Sequence, residues 1–394
     1  SFKDMLQFIQ DLEKNNTTMV FNEFLKMYKN MALGIRKLHK KFYHCNIGLE
    51  SYSVQDLDEE RQRVFEEEEE FDPIVLNDLR RVTIKLQSFG DLVQRNQKCK
   101  DGALGSRPHE MTYTSLKKSF KHDSYSFAVT ILDIEYMYTL KQRPSELLAI
   151  LMNYFTGPGR PLSDLRKKFA NPSKQQTDEE VDKLIMDTFK KELSKNVLYV
   201  FLKKKVQDSA NDEIRREVLK FLLEEHEIEE EEYREANRGV ESFEDLCLNK
   251  SIRLVSLTIR ELILKVLESV VLEMRLQKHE KEVKKMTAHF ALPIYGRFHE
   301  TIDEKLRKQN DSSLLKVKAQ VFENDTLADF YTLVRRAFHY KWGKRIPIMD
   351  VVNGITSIQI DVRKRLEPFA EMISNFQNAD YYDLDPEDPT KDLQ

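Results

Sequence analysis

The chain reads Tyr43-His44-Cys45-Asn46-Ile47-Gly48-Leu49-Glu50-Ser51-Tyr52-Ser53-Val54 at residues 43–54, and this stretch decides the fold. It follows a segment whose apolar residues recur at steps of three and four, which is typical of one face of an amphipathic helix. The apolar residues of that segment are Phe24, Leu25, Tyr28, Met31, Ala32, Ile35 and Leu38. The sequence therefore predicts a long helix that leads into a polar loop.

Further segments around this loop follow one another in a fixed order. They are Val82–Gly90, which ends in Ser-Phe-Gly, then Arg107–Glu110, Asp123–Leu132, Leu147–Phe155 and Gly157–Pro161. None of them is specific alone, and the argument depends on their order along about 160 residues.

Together these segments resemble the carboxy-terminal lobe (C-lobe) of the protein-kinase family. His44-Cys45-Asn46 stands where kinases carry His-Arg-Asp, and Ser88-Phe89-Gly90 stands where they carry Asp-Phe-Gly. Arg107-Pro108-His109-Glu110 occupies the place of Ala-Pro-Glu. The resemblance covers residues 1–171 and is an analogy at the level of the fold.

The resemblance implies that the groups which transfer phosphate are lost at Asn46, Gly48, Ser51 and Ser88. Kinases use an Asp to orient the substrate hydroxyl, a Lys near the phosphate, and an Asn and an Asp on magnesium. An amide does not accept a proton as a carboxylate does, and glycine carries no charge. Serine hydroxyls are poor ligands for a hard dication. We therefore expect no catalysis, no cofactor, no metal and no ATP on this chain alone.

Residues with a structural role in the family are retained. They are His44, Phe89, Gly90, Glu110, Asp123 and Arg160. The resemblance implies that Asp123 accepts hydrogen bonds from the backbone of the loop at His44, and that Arg160 pairs with Glu110. Losses that fall on the reactive positions alone favour a pseudokinase over a chance match.

The chain also departs from the family pattern. Cys45 replaces the loop arginine, and an acidic insert at 56–72 separates the loop from the next strand. Only a short connection, from Thr139 to Pro144, stands where kinases have a peptide-docking helix. The amino-terminal lobe (N-lobe), with its phosphate loop and lysine-bearing strand, is expected upstream of Ser1.

Composition restricts the remaining functions. The 394 residues include 63 Lys and Arg and 67 Asp and Glu, and the net charge of −4 argues against a general nucleic-acid binder. Cys45, Cys99 and Cys247 lack the spacing of metal ligands, so we expect reduced thiols, as in an intracellular protein. No apolar run reaches the length that crosses a membrane.

Beyond Asn171 the sequence predicts an α-helical domain at 178–379, joined by a polar linker at 172–178. The predicted helices are Val181–Val206, Glu213–His226, Ser251–Lys285, Tyr295–Gln309, Ser313–Val321, Thr326–Tyr340 and Ser357–Phe376. The apolar stripe of Ser251–Lys285 is too wide for a surface helix and favours the centre of a bundle, with a coiled coil as the alternative. The acidic tail at 380–394 is expected to be disordered.

A basic spot lies at Lys341, Lys344 and Arg345, beside Tyr340 and Trp342. Basic and aromatic residues together can bind nucleic acid or an acidic protein surface. The simpler interpretation is the polar end of an amphipathic helix, and docking of a protein partner is the second.

The sequence therefore predicts a mainly α fold, in which a kinase-like C-lobe with a small β-hairpin precedes an α-helical bundle. The first hypothesis is a catalytically inactive scaffold or structural subunit that binds proteins in a larger cytoplasmic assembly, with the cytoskeleton or cilium as candidates. The alternative is an atypical active kinase that uses Asp56 or Asp91, or a nucleotide-binding switch. Neither contact with a membrane nor contact with nucleic acid is expected.

Overall fold

A computed structural model describes most of the chain outside its longest acidic and C-terminal stretches. The described residues are 2–14, 21–56, 82–94, 97, 99, 103–112, 121–156, 161–208, 212–238, 251–275, 277 and 324–359. Arg160, Cys247, the insert beyond Asp56, the helices predicted at 295–309 and 313–321, and the tail at 380–394 lie outside them. The described part is mainly helical, as the sequence predicts.

Five helices lie in the described part of the first 171 residues. They are α1 (Met5–Lys14), α2 (Phe21–Leu38), α3 (Lys121–Leu140), α4 (Pro144–Tyr154) and α5 (Leu162–Phe169). Helix α2 is the one predicted from the apolar periodicity ahead of the loop. Proline at the first position of α4 suits a helix start, because that position needs no amide donor.

The second half continues with helices of similar length. They are α6 (Asp178–Lys195), α7 (Val197–Gln207), α8 (Asp212–Glu224), α9 (Glu230–Asn237), α10 (Ile252–Val266), α11 (Asn324–Phe338) and α12 (348–359). A π-helical turn, Leu267–Val271, follows α10. The predicted start of α6 is confirmed, because Thr177 and Glu180 form a reciprocal capping box there. The prediction of a single helix at Val181–Val206 is wrong, because the chain divides at Asn196 into α6 and α7.

Five short strands complete the described part. They are β1 (Phe2–Asp4), β2 (Phe42–Tyr43), β3 (Tyr52–Asp56), β4 (Val82–Leu86) and β5 (Val93–Gln94). The predicted hairpin is the antiparallel pair β3–β4, in which Val54 lies opposite Ile84. Strand β1 extends it to a three-stranded sheet in the order β1-β3-β4, and β2 pairs separately with β5. The strand at Phe2–Asp4 was not predicted, since the sequence there indicated only the approach to a helix.

Helix α3 lies at the centre of the core. Its side chains are buried from His122 to Thr139 on every side of the helix. Helices α1, α4 and α11 and the π-helical turn pack around it. Helix α10 is also buried from Leu254 to Leu264, which confirms the prediction of a central helix.

The two predicted domains share one hydrophobic core. Polar contacts also cross the predicted linker at 172–178. Arg260 donates to the Tyr125 hydroxyl at 2.6 Å, and the Tyr136 hydroxyl donates to the carbonyl of Ile263 at 2.6 Å. The helices after the linker therefore cover α3 directly.

Asp133, in the middle of α3, supplies a testable property of this core. Its carboxylate is buried, accepts from the Ser145 amide at 2.8 Å, and lies 3.8 Å from Arg143. Burial raises the pKa of Asp133 to about 6, and the hydrogen bonds from Ser145 and the charge of Arg143 offset only part of that. The folded state therefore favours the protonated acid, and the stability this supplies is lost as the pH rises from about 4 to about 6.

We expect Asp133→Asn to raise the free energy of unfolding at pH 7.5 by about 1–3 kcal/mol, because the neutral amide keeps the oxygen that Ser145 contacts without a buried charge. The gain should disappear near pH 4. Urea unfolding of both proteins at pH 4, 5, 6 and 7.5 measures it. A stability difference that does not change with pH would contradict the assignment.

Candidate functional site around Asn46

The polar loop between β2 and β3 is tied to the first turn of α3 by Asp123. The amides of His44 and Cys45 donate to its two carboxylate oxygens at 2.8 and 2.9 Å, and His39 Nε2 donates to it at 2.8 Å. The chain bends sharply here, with a φ of 66° at Cys45. The contact between Asp123 and the loop backbone is the one that the resemblance implies for this residue.

Asp123 remains a carboxylate in this buried position. Burial would raise its pKa, but the hydrogen bonds from His39 and from the amides of His44 and Cys45 hold the pKa below its ordinary value. Its place in the first turn of α3 adds the favourable interaction of an anion with a helix N-terminus. The loop is therefore organised around a fixed negative charge.

We expect Asp123→Asn to lower the free energy of unfolding by about 2–4 kcal/mol at neutral pH, because an amide group then faces at least one backbone donor. The folded pKa of Asp123 is depressed, so its contribution is present at neutral pH and is lost as the pH falls through that pKa. The difference between the two proteins should shrink in acid. Denaturant unfolding together with amide exchange at His44 and Cys45 measures the effect.

The matched control is Asp91→Asn, which changes an exposed carboxylate of the same site. It should alter stability by no more than about 0.5 kcal/mol. Equal effects of the two substitutions would show that Asp123 does not organise the loop.

Asn46 bridges two neighbouring segments. Its Nδ2 donates to the Asp91 carboxylate at 2.8 Å, and its Oδ1 accepts from the Ala103 amide at 2.8 Å. Both polar atoms of the Asn46 side chain are therefore engaged in hydrogen bonds that hold the two segments in place. An amide held in this way orients neighbouring backbone and has no basic atom for a substrate proton.

Two of the other altered positions, Ser51 and Ser88, bind the loop backbone through their hydroxyl groups. Ser51 Oγ donates to the carbonyl of Asn46 at 2.7 Å and accepts from the Gly48 amide at 3.1 Å. Ser88, at a φ of 62°, places its hydroxyl 3.4 Å from the carbonyl of Glu50. The hydroxyl groups of Ser51 and Ser88 thus donate to carbonyl oxygens in this loop.

The retained residues after β4 lie beside the loop. His44 Nε2 donates to the carbonyl of Gln87 at 3.0 Å, and the His44 ring lies 6.0 Å from the ring of Phe89, between centroids. Phe89 is 51% exposed, so its ring does not fill the core. A Cβ on Gly90 would meet no atom within 4 Å, so packing does not require glycine at this position.

The prediction of reduced thiols is wrong for two of the three cysteines. Cys45 and Cys99 form a disulfide, with their Cα atoms 5.4 Å apart. The bond fixes the loop next to Asn46 to the segment after β5. A sequence separation of 54 hid the pairing, because neither cysteine lies in a short motif with a second cysteine.

Arg345 pairs with Glu110, the residue for which the resemblance implies Arg160 as the partner. Its guanidinium pairs with the Glu110 carboxylate through two nitrogens, one of them at 3.3 Å, and both side chains are buried. Burial would raise the pKa of Glu110, but the charge and hydrogen bond of Arg345 lower it. Arg160 lies outside the described residues.

Sequence reasoning also missed a buried pair between Glu135 of α3 and Arg275, after the π-helical turn. Glu135 accepts from the Tyr28 hydroxyl at 2.5 Å and from the Tyr331 hydroxyl at 3.5 Å. The Arg275 guanidinium lies 4.0 Å from the centre of the Phe24 ring. The partners are far apart in sequence, so no local pattern indicates this pair.

Two features are absent from the described residues. No group of three or more His, Cys, Asp and Glu side chains among them is arranged to hold a metal ion. None of their helices has both the length and the apolarity needed to cross a bilayer.

Comparison with known proteins gives no relative: no family model, no curated protein and no solved structure matches this chain.

Proposed function

We propose that this chain is a catalytically inactive, kinase-like scaffold or structural subunit that binds other proteins in a larger assembly. The proposal rests on the chemical groups present at four positions in and beside the loop. Asn46, Ser51 and Ser88 hold uncharged groups that hydrogen-bond to neighbouring loop segments, and Gly48 has no side chain. In kinases, the Asp, the Lys and the magnesium ligands at these positions supply most of the transition-state stabilisation.

The anchoring contacts support the kinase-like part of the proposal. Asp123 binds the loop backbone, as the resemblance implies, and Glu110 is paired with a buried arginine. The arginine is Arg345, so the proposed lobe would include residues from both halves of the chain. A rigid helical body of this kind would offer a surface that binds other proteins without catalysing a reaction.

The direct test is exposure of the chain to ATP. We expect no rise in melting temperature with 1 mM ATP and magnesium, and no transfer of label from γ-labelled ATP to the chain or to a generic substrate protein. A ligand at 100 times its dissociation constant would stabilise by about 2.7 kcal/mol, which a thermal scan detects. An active kinase assayed in parallel is the positive control.

A specific contact favours the alternative of an atypical kinase. The carboxylate of Asp91 is exposed and lies 2.8 Å from Asn46, so an anionic group is present beside the loop. Label transfer that Asp91→Asn abolishes would establish this alternative. Stabilisation by ATP without magnesium and without transfer would establish a nucleotide switch.

A cytoplasmic location, with the cytoskeleton or cilium as the candidate assembly, requires that Cys45 and Cys99 be reduced in the cell. The disulfide between Cys45 and Cys99 argues against a reducing compartment, where such bonds are rare. Alkylation of free thiols in the native source, followed by mass spectrometry, shows which state exists there. Crosslinking mass spectrometry in the same source identifies the neighbouring proteins.

A further inference from the structure

The disulfide between Cys45 and Cys99 has two unlike ends. Cys45 is 3% exposed, and its amide donates to the buried carboxylate of Asp123 at 2.9 Å. Cys99 is partly exposed and follows β5 in the chain. Access decides which sulfur of a disulfide is attacked by a thiol from solution. We therefore expect such a thiol to attack the sulfur of Cys99 rather than that of Cys45.

Backbone contacts hold Cys45 in place independently of the bond. Its amide is bound by Asp123, and its φ of 66° sets the bend of the loop. Two residues earlier, Tyr43 pairs with Val93 where β2 meets β5. These contacts do not use the sulfur atom of Cys45. The loop therefore stays organised around Asp123 when the disulfide is reduced.

Contacts on both sides of Cys99 limit how far it moves once the bond is open. Five residues before it, Gln94 lies in β5, which pairs with β2. Four residues after it, the carbonyl of Ala103 accepts from the Ser106 amide at 3.1 Å. A chain of four to five residues spans at most about 13–18 Å. Cys99 can therefore leave the loop but stays near enough to return to it.

The contacts after Ala103 belong to the core of the molecule. The carbonyl of Ser106 accepts from the Ser126 hydroxyl of α3 at 2.8 Å, in a buried position. A Cβ on Gly105 would lie 2.0 Å from the carbonyl oxygen of Ser145, so the backbone here lies directly against the start of α4. Neither contact involves the disulfide. We therefore expect the change on reduction to stop before Gly105.

Asn46 is the residue whose contacts depend on the bond. Its Oδ1 accepts from the Ala103 amide and its Nδ2 donates to Asp91, and both hydrogen bonds are exposed. Exposed hydrogen bonds compete with water, so they hold two segments together only weakly. The disulfide next to Asn46 keeps the segments from separating. Its reduction therefore weakens the contact between Asn46 and Ala103.

We propose that Cys45 and Cys99 form a reversible redox switch for the polar loop, with a dithiol as the reductant. One thiolate of the dithiol attacks the Cys99 sulfur, the S–S bond breaks, and Cys45 leaves as a thiolate that takes up a proton. The second thiol of the reductant then attacks its own sulfur in the mixed disulfide, which releases Cys99 as a thiol and leaves the dithiol oxidised to a disulfide. Two electrons and two protons pass from the dithiol to the protein.

The two states differ in one defined contact. The oxidised form holds Ala103 on Asn46, and the reduced form lets them separate while Asp123 keeps the loop on α3. The switch depends on the two cysteines and their neighbours and not on the kinase-like assignment, so it goes beyond the proposed function. It would give the chain one state in an oxidising compartment and another in a reducing one.

Amide exchange of the intact chain, oxidised and after treatment with dithiothreitol, tests the switch. Reduction should lower the protection of the Ala103 amide at least about tenfold, because its acceptor on Asn46 is no longer held in place. Peptides from α3 should stay protected during the first minute of labelling in both states, and circular dichroism should show the same helix content. Differential alkylation with mass spectrometry measures the reduced fraction, and oxidised glutathione should restore both the disulfide and the protection.

Two single substitutions serve as matched variants. Cys99→Ser removes the bond at its partly exposed end, and the Ala103 amide should then exchange as in the reduced chain, with or without dithiothreitol. Cys247→Ser removes the third cysteine of the chain, and this variant should respond to dithiothreitol as the wild-type protein does. A Cys99→Ser chain with the protection of the oxidised wild-type protein overturns the proposal, and so does a response that Cys247→Ser abolishes.

Brief treatment with the monothiol glutathione, stopped with acid, shows which sulfur is attacked. Peptide mapping should find the mixed disulfide on Cys99 in at least about tenfold excess over Cys45. A mixed disulfide mainly on Cys45 contradicts the proposed exchange. The proposal also fails if the cysteines stay unpaired in oxidised glutathione, if the bond in the folded chain resists dithiothreitol, if the reduced chain loses its helix content, or if Ala103 is equally protected in both states.

Discussion

Replacing Arg345 with methionine is expected to lower the free energy of unfolding by about 3–5 kcal/mol, because the substitution leaves the Glu110 carboxylate buried without its partner. Glu110 is buried, and the charge and hydrogen bonds of Arg345 offset the cost of removing that carboxylate from water. The Arg345 guanidinium also lies 4.8 Å from the centre of the Tyr125 ring. Denaturant unfolding at neutral pH measures the loss.

Two further variants make this prediction specific to the pair. Arg160→Met removes the arginine that the resemblance assigned to Glu110, and it should cost no more than about 0.5 kcal/mol. The double variant Glu110→Gln with Arg345→Met should recover part of the loss, because no unpaired charge stays buried. A larger loss of stability from Arg160→Met than from Arg345→Met would show that Glu110 pairs with Arg160, as the sequence predicted.

The Arg345 contact illustrates which features can be predicted from local sequence patterns and which cannot. Local periodicity was sufficient for α2 and for the buried helix α10, because one turn of a helix repeats over a few neighbouring residues. The family pattern was sufficient for the position of Asp123 against the loop. Glu110 and Arg345 are 235 residues apart, and no local pattern specifies which of several arginines reaches a buried carboxylate.

Other differences have local causes that could have been recognised. Asn196 ends α6 and caps α7 by accepting from the Tyr199 amide, and an asparagine inside an apolar periodic run is a known helix-start signal. The disulfide is different, because Cys45 and Cys99 meet only once the loop and β5 are in place. The raised pKa of Asp133 also depends on burial that tertiary packing creates.

A fragment of residues 1–171, the predicted C-lobe, is expected not to fold on its own. It contains α3, which is buried on every side in the intact chain. The fragment lacks Arg345 and Arg275, the partners of Glu110 and Glu135. Each unpaired buried charge costs about 3–5 kcal/mol, so the two together approach the total stability of about 5–15 kcal/mol that is typical of a domain.

Apolar contacts between residues before and after position 171 also indicate that the fragment 1–171 will not fold. Tyr28 stacks on Phe330, with ring centroids 5.4 Å apart, and Tyr125 stacks on Phe338 at 5.0 Å. The Tyr136 hydroxyl loses the carbonyl of Ile263 as its acceptor. In the fragment these faces of the core would meet water, and the hydrophobic contribution of their burial would be lost.

Far-ultraviolet circular dichroism across a urea titration distinguishes the outcomes. We expect the fragment 1–171 to show no cooperative transition, and the fragment 1–359, which keeps all the described elements, to unfold cooperatively. Adding Glu110→Gln and Glu135→Gln to the short fragment removes its unpaired charges but leaves its apolar faces exposed, so it should stay unfolded. If those two substitutions restore a cooperative transition, the two carboxylates prevent folding. If the unmodified short fragment folds cooperatively, the first 171 residues are an independent domain and the shared core is not required.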